Sequence, residues 1–154
     1  MNQSADGLTH SNRPSKVTKK DNRIEIPSNL DFLPKVDQFI ERKLKKLKVP
    51  KDQLVDIAIS VSEAVTNAVM HGNKNDVNKK VRVSLILEPT EVEIWVEDEG
   101  AGFDPDGVAS CLEDENLLKH TGRGILILKA LMDVLEYDCD PKGGTKLKMI
   151  KYIK

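Results

Sequence analysis

The chain has 154 residues, with 24 basic and 25 acidic side chains and a formal net charge of −1, which is the size of one domain able to bury a core of its own. That balance lacks the basic excess by which a nucleic-acid surface announces itself. The most apolar run, residues 125–132, is interrupted by Lys129 and too short to span a bilayer, and the N-terminus has no apolar signal segment.

In chain order, residues 1–22 carry only Met1, Ala5, Leu8 and Val17 as apolar side chains. They read as a disordered tail preceding one domain over residues 23–154. Ile24-Glu25-Ile26 alternates as a short strand does, and Pro27-Ser28-Asn29 ends it and supplies a helix cap. Over residues 30–47, Leu33, Val36, Phe39, Ile40, Leu44 and Leu47 have helical spacing, with Pro34 tolerated in the first turns. The basic cluster Arg42, Lys43, Lys45, Lys46 and Lys48 fits either the solvated C-terminal face of that helix or a protein-docking surface.

A long second helix is expected from about Asp52, a candidate cap. Leu54, Ala58, Val61, Val65 and Ala68 fall on one face, and Ile57, Ile59, Ala64 and Met70 intrude beyond it. Glu63, Asn67 and His71 recur every fourth residue on the other side, so a carboxylate, an amide and an imidazole form one polar stripe. The stripe has two readings. Either it is a solvated face closed by His71 and a left-handed Gly72 cap, or it is part of a binding site.

Residues 80–88 and 91–98 alternate as strands joined through Pro89-Thr90, an antiparallel hairpin with one covered and one wet face. Trp95 falls on the wet face, where it is either a lone exposed aromatic or part of a partner surface, the second favoured by the large apolar area an indole exposes. Asp98-Glu99-Gly100-Ala101-Gly102-Phe103 follows at the strand end. Glycines there serve a turn or a close ligand, and the acceptor-only carboxylate before them suits an exocyclic amine such as adenine's. Residues 107–120 read as a mobile loop. Thr121-Gly122-Arg123-Gly124 opens onto an apolar helix over 125–134, and amides at such a start favour phosphate. Strands over 135–140 and 145–153 flank a turn at 141–144. The two cysteines, Cys111 and Cys139, match no C-x-x-C pattern and are expected as reduced thiols. No G-x-x-x-x-G-K-[ST] loop is present.

Taken together, Glu63-x-x-x-Asn67, Asp98-x-Gly100-x-Gly102-Phe103, Gly122-x-Gly124 and Gly144-Thr145 stand in the order of the boxes of the GHKL ATPases. The local wording resembles the bacterial anti-sigma factor serine kinases. The resemblance implies an α/β two-layer sandwich with a mixed, mostly antiparallel sheet and helices on one face. It further implies bound ATP with Mg²⁺ on Asn67, Glu63 as general base, and Asp98 reading the adenine with Thr145 beside it. His71, Gly100, Gly102 and Phe103 would line the nucleotide site, and the Thr121, Gly122, Arg123 and Gly124 segment would cradle phosphates, with Lys119 or His120 adding charge. The implied protein is a cytoplasmic homodimer that phosphorylates a STAS-type anti-anti-sigma protein and sequesters a sigma factor. The alternative is a nucleotide-loaded regulatory switch with little transfer. Asn73 departs from the resemblance, since an aromatic often stands there.

Overall fold

A computed structural model describes residues 17–100, 124–140 and 143–154. Its sheet has six strands: β1 (Thr18–Lys20), β2 (Arg23–Pro27), β3 (Lys80–Glu88), β4 (Glu91–Glu97), β5 (Val134–Cys139) and β6 (Thr145–Tyr152). Their spatial order is β1-β2-β3-β4-β6-β5. All pairings among the described residues are antiparallel, which realises the mostly antiparallel two-layer sandwich that the motifs imply.

β1 corrects the boundary of the N-terminal tail, because Thr18, Lys19 and Lys20 pair with Glu25, Ile24 and Arg23. Their side chains are exposed, so no apolar pattern marks the strand. An edge strand needs only backbone N–H and C=O groups to form, and lysines there discourage further pairing. Residues 1–16 lie outside the described residues.

Asn29 caps a 3₁₀ turn, Leu30–Phe32, by accepting from the Asp31 N–H at 2.9 Å. α1 (Leu33–Leu47) follows, with Pro34 in its first turn and Val36, Phe39, Ile40 and Leu44 buried. It stops at Lys48 in the left-handed region (φ 59°), and Lys45 and Lys46 in the last turn complement the dipole. α2 (Lys51–Asn67) starts from Pro50, not from Asp52, which sits inside the first turn and makes no cap hydrogen bond. The proline ring presets the extended-to-helical turn that a capping side chain would otherwise stabilise.

The buried face of α2 is Ile57, Val61, Ala64 and Val65, while Ala58 is exposed and Leu54 only half-buried. Two overlapping apolar stripes run along this helix, and packing selects the one with more area to bury. Ile57, Val61 and Val65 are wholly inaccessible, each contributing about 1.5–3 kcal/mol. They pack on Val81, Val83, Val92, Ile94, Leu147 and Met149 from the covered sheet face, with α1 and α3 (Gly124–Leu131) alongside.

On the wet face, Trp95 donates its indole N–H to Glu93 at 2.6 Å and carries the Lys148 ammonium 5.8 Å from its ring centre. Its polar group and its ring are thus both engaged within the sheet. Cys139 is buried and disulfide-bonded. This corrects the expected reduced thiol, since separation in sequence carries no distance information. Cys111 lies outside the described residues. No helix among the described residues is long and apolar enough to cross a membrane.

Candidate functional site

The β4 alternation that buries Val92, Ile94 and Val96 carries Asp98 onto the same helix-covered side one step past the strand. There its N–H donates to the Thr145 carbonyl at 3.0 Å, and Oδ1 accepts from the backbone N–H groups of Gly100 (2.9 Å) and Thr145 (3.2 Å). Oδ2 accepts from no donor among the described residues. Burial pushes the Asp98 carboxyl above the ordinary carboxylate range. The two N–H groups and the Lys79 charge oppose that shift without cancelling it. A desolvated carboxylate with one oxygen held and one unclaimed is arranged to accept from a ligand.

The second wall comes from the end of α2. Beyond Asn67 the helix widens into a single π turn, Ala68–Gly72, closed by the Asn73 N–H reaching back to the Ala68 carbonyl at 2.8 Å. Such turns are uncommon and concentrate at functional sites. The widening breaks the four-residue phase set by Glu63 and Asn67, and His71 is exposed in it. Gly72 is not a left-handed cap, because the glycines at positive φ among the described residues are Gly143 and Gly144. A Cβ on Gly72 would overlap the Asp98 carboxylate, and one on Gly100 would overlap the Gly72 carbonyl. Close approach, not backbone conformation, is what requires glycine at position 72.

The third wall is the start of α3. A Cβ on Gly124 would lie 2.5 Å from Glu63 Oε2 and 2.8 Å from Asn67 Nδ2, so the helix N-terminus touches both polar side chains of α2. The Asn67 Nδ2 atom is buried with no hydrogen-bond partner among the described residues. A primary amide presents either nitrogen or oxygen by a half turn, so this side chain can offer a carbonyl oxygen to a cation at the same place. Mg²⁺ takes few protein ligands of this kind and keeps its waters; the residues present fit it.

Tyr137, which the sequence pattern did not single out, lies within electrostatic reach of both Asp98 and Glu63. It stands on the covered face of β5 opposite Leu147 and packs against the core. Burial, then the negative charges of Asp98 and Glu63, push its hydroxyl up to about 12. The alternation of Leu135, Tyr137 and Cys139 places it on that face and was the available signal. Asn73, at a position where the resemblance often has an aromatic, is 1% exposed and hydrogen-bonded to three separate segments. A cleft of about 280 Å³ opens at the same sheet end, lined by Asp98, Gly144, Thr145 and, from the wet face, Asp138 and Lys146.

The structure therefore brings Glu63, Asn67 and Gly124 into one contact and Asp98, Gly100 and Thr145 into another. Exposed His71 enters none of these hydrogen bonds. Gly102, Phe103, Thr121, Gly122 and Arg123, with Lys119 and His120, lie outside the described residues.

Residues 26–151 match the histidine kinase-like ATPase domain. The anti-sigma F factor of Oceanobacillus iheyensis is 35% identical over 112 residues, 71% of this chain and 77% of that one. Among solved structures, the RsbU and RsbW domains of Rv1364c from Mycobacterium tuberculosis superpose with a TM-score of 0.61 at 19% identity, covering 86% of this chain, which spans 32% of that longer one. The SiaB-SiaC complex from Pseudomonas aeruginosa gives 0.57 at 11% identity, covering 99% of both chains. At these identities the two structures speak for the fold alone, whereas the family match and the sequence relatives speak for descent. The chain belongs to the histidine kinase-like ATPase family, whose domain binds ATP, and to its anti-sigma factor members.

Proposed function

We infer that this protein is an ATP-dependent serine kinase acting as an anti-sigma factor, which phosphorylates a STAS-domain anti-anti-sigma protein and sequesters a sigma factor. The observation that carries this reading is the contact of Glu63 and Asn67 with the glycine at the start of α3. It sets a carboxylate beside the helix N-terminus where phosphate is favoured. Asp98 accepts the adenine amine on its unclaimed oxygen, and Thr145 and Gly100 hold its other oxygen in place. Mg²⁺, when bound, neutralises charge on the phosphoryl oxygens, with Asn67 as its protein ligand.

Glu63 takes the proton from the partner's serine hydroxyl as that oxygen bonds to the γ-phosphorus. The bond from phosphorus to the bridging oxygen breaks, and ADP leaves. In this reading Gly102 and Phe103 line the nucleotide site and Thr121, Gly122 and Arg123 cradle the phosphates, with His71 bordering the site from the π turn. The reading carries with it a cytoplasmic homodimer, which sedimentation of the purified protein tests directly.

Labelled ATP with candidate STAS proteins is expected to yield phosphoserine with the wild-type protein. Glu63→Gln is expected to bind nucleotide and leave the STAS protein unlabelled. Equal labelling by both proteins removes Glu63 as the base, and nucleotide binding without labelling by the wild type selects the switch that does not transfer.

A further inference from the structure

The residue that follows the π turn, Asn73, is 1% exposed, and its side-chain amide uses both donors and its acceptor oxygen. Nδ2 donates to Ser28 Oγ at 2.7 Å and to the Lys80 carbonyl at 2.9 Å, and Oδ1 accepts from the Glu99 N–H at 2.8 Å. The contacts fix the amide's orientation, because a backbone carbonyl needs a donor and a backbone N–H needs an acceptor. Glu99 in turn accepts the Lys80 N–H on Oε1 at 2.6 Å. Asn73, Lys80 and Glu99 thus form a closed ring of hydrogen bonds. Ser28, also 1% exposed, extends it by donating to the Lys79 carbonyl at 2.7 Å.

This ring lies directly beside the recognition carboxylate. Glu99 is the next residue after Asp98, and Gly72 precedes Asn73. Gly72 is also the residue whose missing Cβ makes room for the Asp98 side chain and whose carbonyl abuts Gly100. The Asn73–Glu99 hydrogen bond therefore sets the spacing between the π turn and the segment from Asp98 to Gly100. Among the described residues it is the side-chain hydrogen bond that joins the residue after the π turn to that segment; the remaining contacts of Gly72 there are close approaches to Asp98 and Gly100.

We propose that Asn73 is a positioning residue for nucleotide recognition: through Glu99 it holds Asp98 at the place where its unclaimed oxygen meets the exocyclic amine of adenine. The assignment rests on the reading of Asp98 given above. A network that only stabilised the fold would affect every nucleotide alike, whereas one that positions Asp98 acts through the amine alone.

The test compares ATP with inosine triphosphate, which carries a carbonyl where adenine carries the amine. Wild-type protein is expected to prefer ATP, and Asp98→Asn to lose that preference. If the wild type does not discriminate, the reading of Asp98 fails, whatever Asn73 does. Given discrimination, Asn73→Ala is expected to weaken ATP binding about tenfold with little change for inosine triphosphate, and to raise KM for ATP more than it lowers kcat. A parallel loss for both nucleotides, or unchanged ATP affinity, overturns the proposal. Should Asn73→Ala fail to fold, Asn73→Asp decides. It keeps the acceptor for the Glu99 N–H and gives up the two donors, so it is expected to retain the ATP preference. Loss of that preference in folded Asn73→Asp protein overturns the proposal equally.

Discussion

Asp98→Asn separates recognition from stability, because the two are expected to move in opposite directions. An asparagine keeps the carbonyl oxygen that accepts from Gly100 and Thr145 at 2.9 and 3.2 Å, and it puts an NH₂ where Oδ2 stood. That group faces the adenine amine donor to donor. Losing one charge-assisted hydrogen bond costs about 1.5–3 kcal/mol, or roughly tenfold to a hundredfold in affinity. Stability follows a different sign. Burial raises the Asp98 carboxyl above the ordinary aspartate value, so the folded state binds its proton at pH values where the unfolded chain has already released it. Stability therefore falls as pH rises from the unfolded to the folded value, and the desolvated charge remains a cost at neutral pH. Asp98→Asn removes that cost and is expected to melt at or above the wild-type temperature at pH 7. In the wild type, ATP affinity is expected to fall on acidification before an ordinary carboxylate would be protonated. Calorimetric titration with ATP and ADP, paired with melting curves across pH, reads both effects. Unchanged ATP affinity, or a ligand-free Asn variant clearly less stable than wild type at neutral pH, refutes the reasoning.

Gly124→Ala introduces a methyl group 2.5 Å from Glu63 Oε2 and 2.8 Å from Asn67 Nδ2; both neighbours are side-chain ends that can swing away. Its melting free energy is expected to stay within about 1 kcal/mol of wild type, alanine being the better helix former. Phosphoryl transfer is expected to drop about tenfold or more, because displacement of a catalytic group by an ångström is enough for that; undiminished transfer would show that this contact is unimportant. Tyr137 is raised from 10.0 to about 12, so between those pH values the folded state retains a proton that the unfolded chain has lost. Stability should decline across that window by about 3 kcal/mol. Tyr137→Phe is expected to flatten the decline, and a tyrosinate absorbance titration giving two ordinary phenols contradicts the placement.

Much of the scaffold was legible because its signals are local. Alternation at Val81, Val83 and Leu85 and at Val92, Ile94 and Val96 located the central hairpin, and both strands bury those residues. Helical spacing located α1 with its Asn29 cap. Three misreadings share one cause, namely that the deciding partner is distant in the chain. β1 forms because β2 offers it a backbone edge. The buried stripe of α2 is chosen by what packs on it, not by periodicity alone. The role of Gly72 is set by Asp98, and nothing in the local sequence distinguishes a glycine that turns from one that yields space. The same holds for Asn73, whose three side-chain partners come from the ends of three strands.

The two acids of the site are built differently, and the difference has consequences. Asp98 is fixed by backbone donors at a sheet end, where neighbouring strands suppress motion, which suits a group that must discriminate one ligand edge from another. Glu63 belongs to α2 and meets the site through a contact with Gly124, the first described residue after the segment from 101 to 123. A shift of Gly124 acts on Glu63 directly, whereas Asp98 is held from β6 as well, through the N–H and the carbonyl of Thr145. Substitutions at the sheet end should therefore appear in the dissociation constant, and those at the junction of α2 and α3 in the rate of transfer. If Gly124→Ala weakened ATP binding as much as Asp98→Asn does, the two walls would be one mechanical unit and this separation would fail.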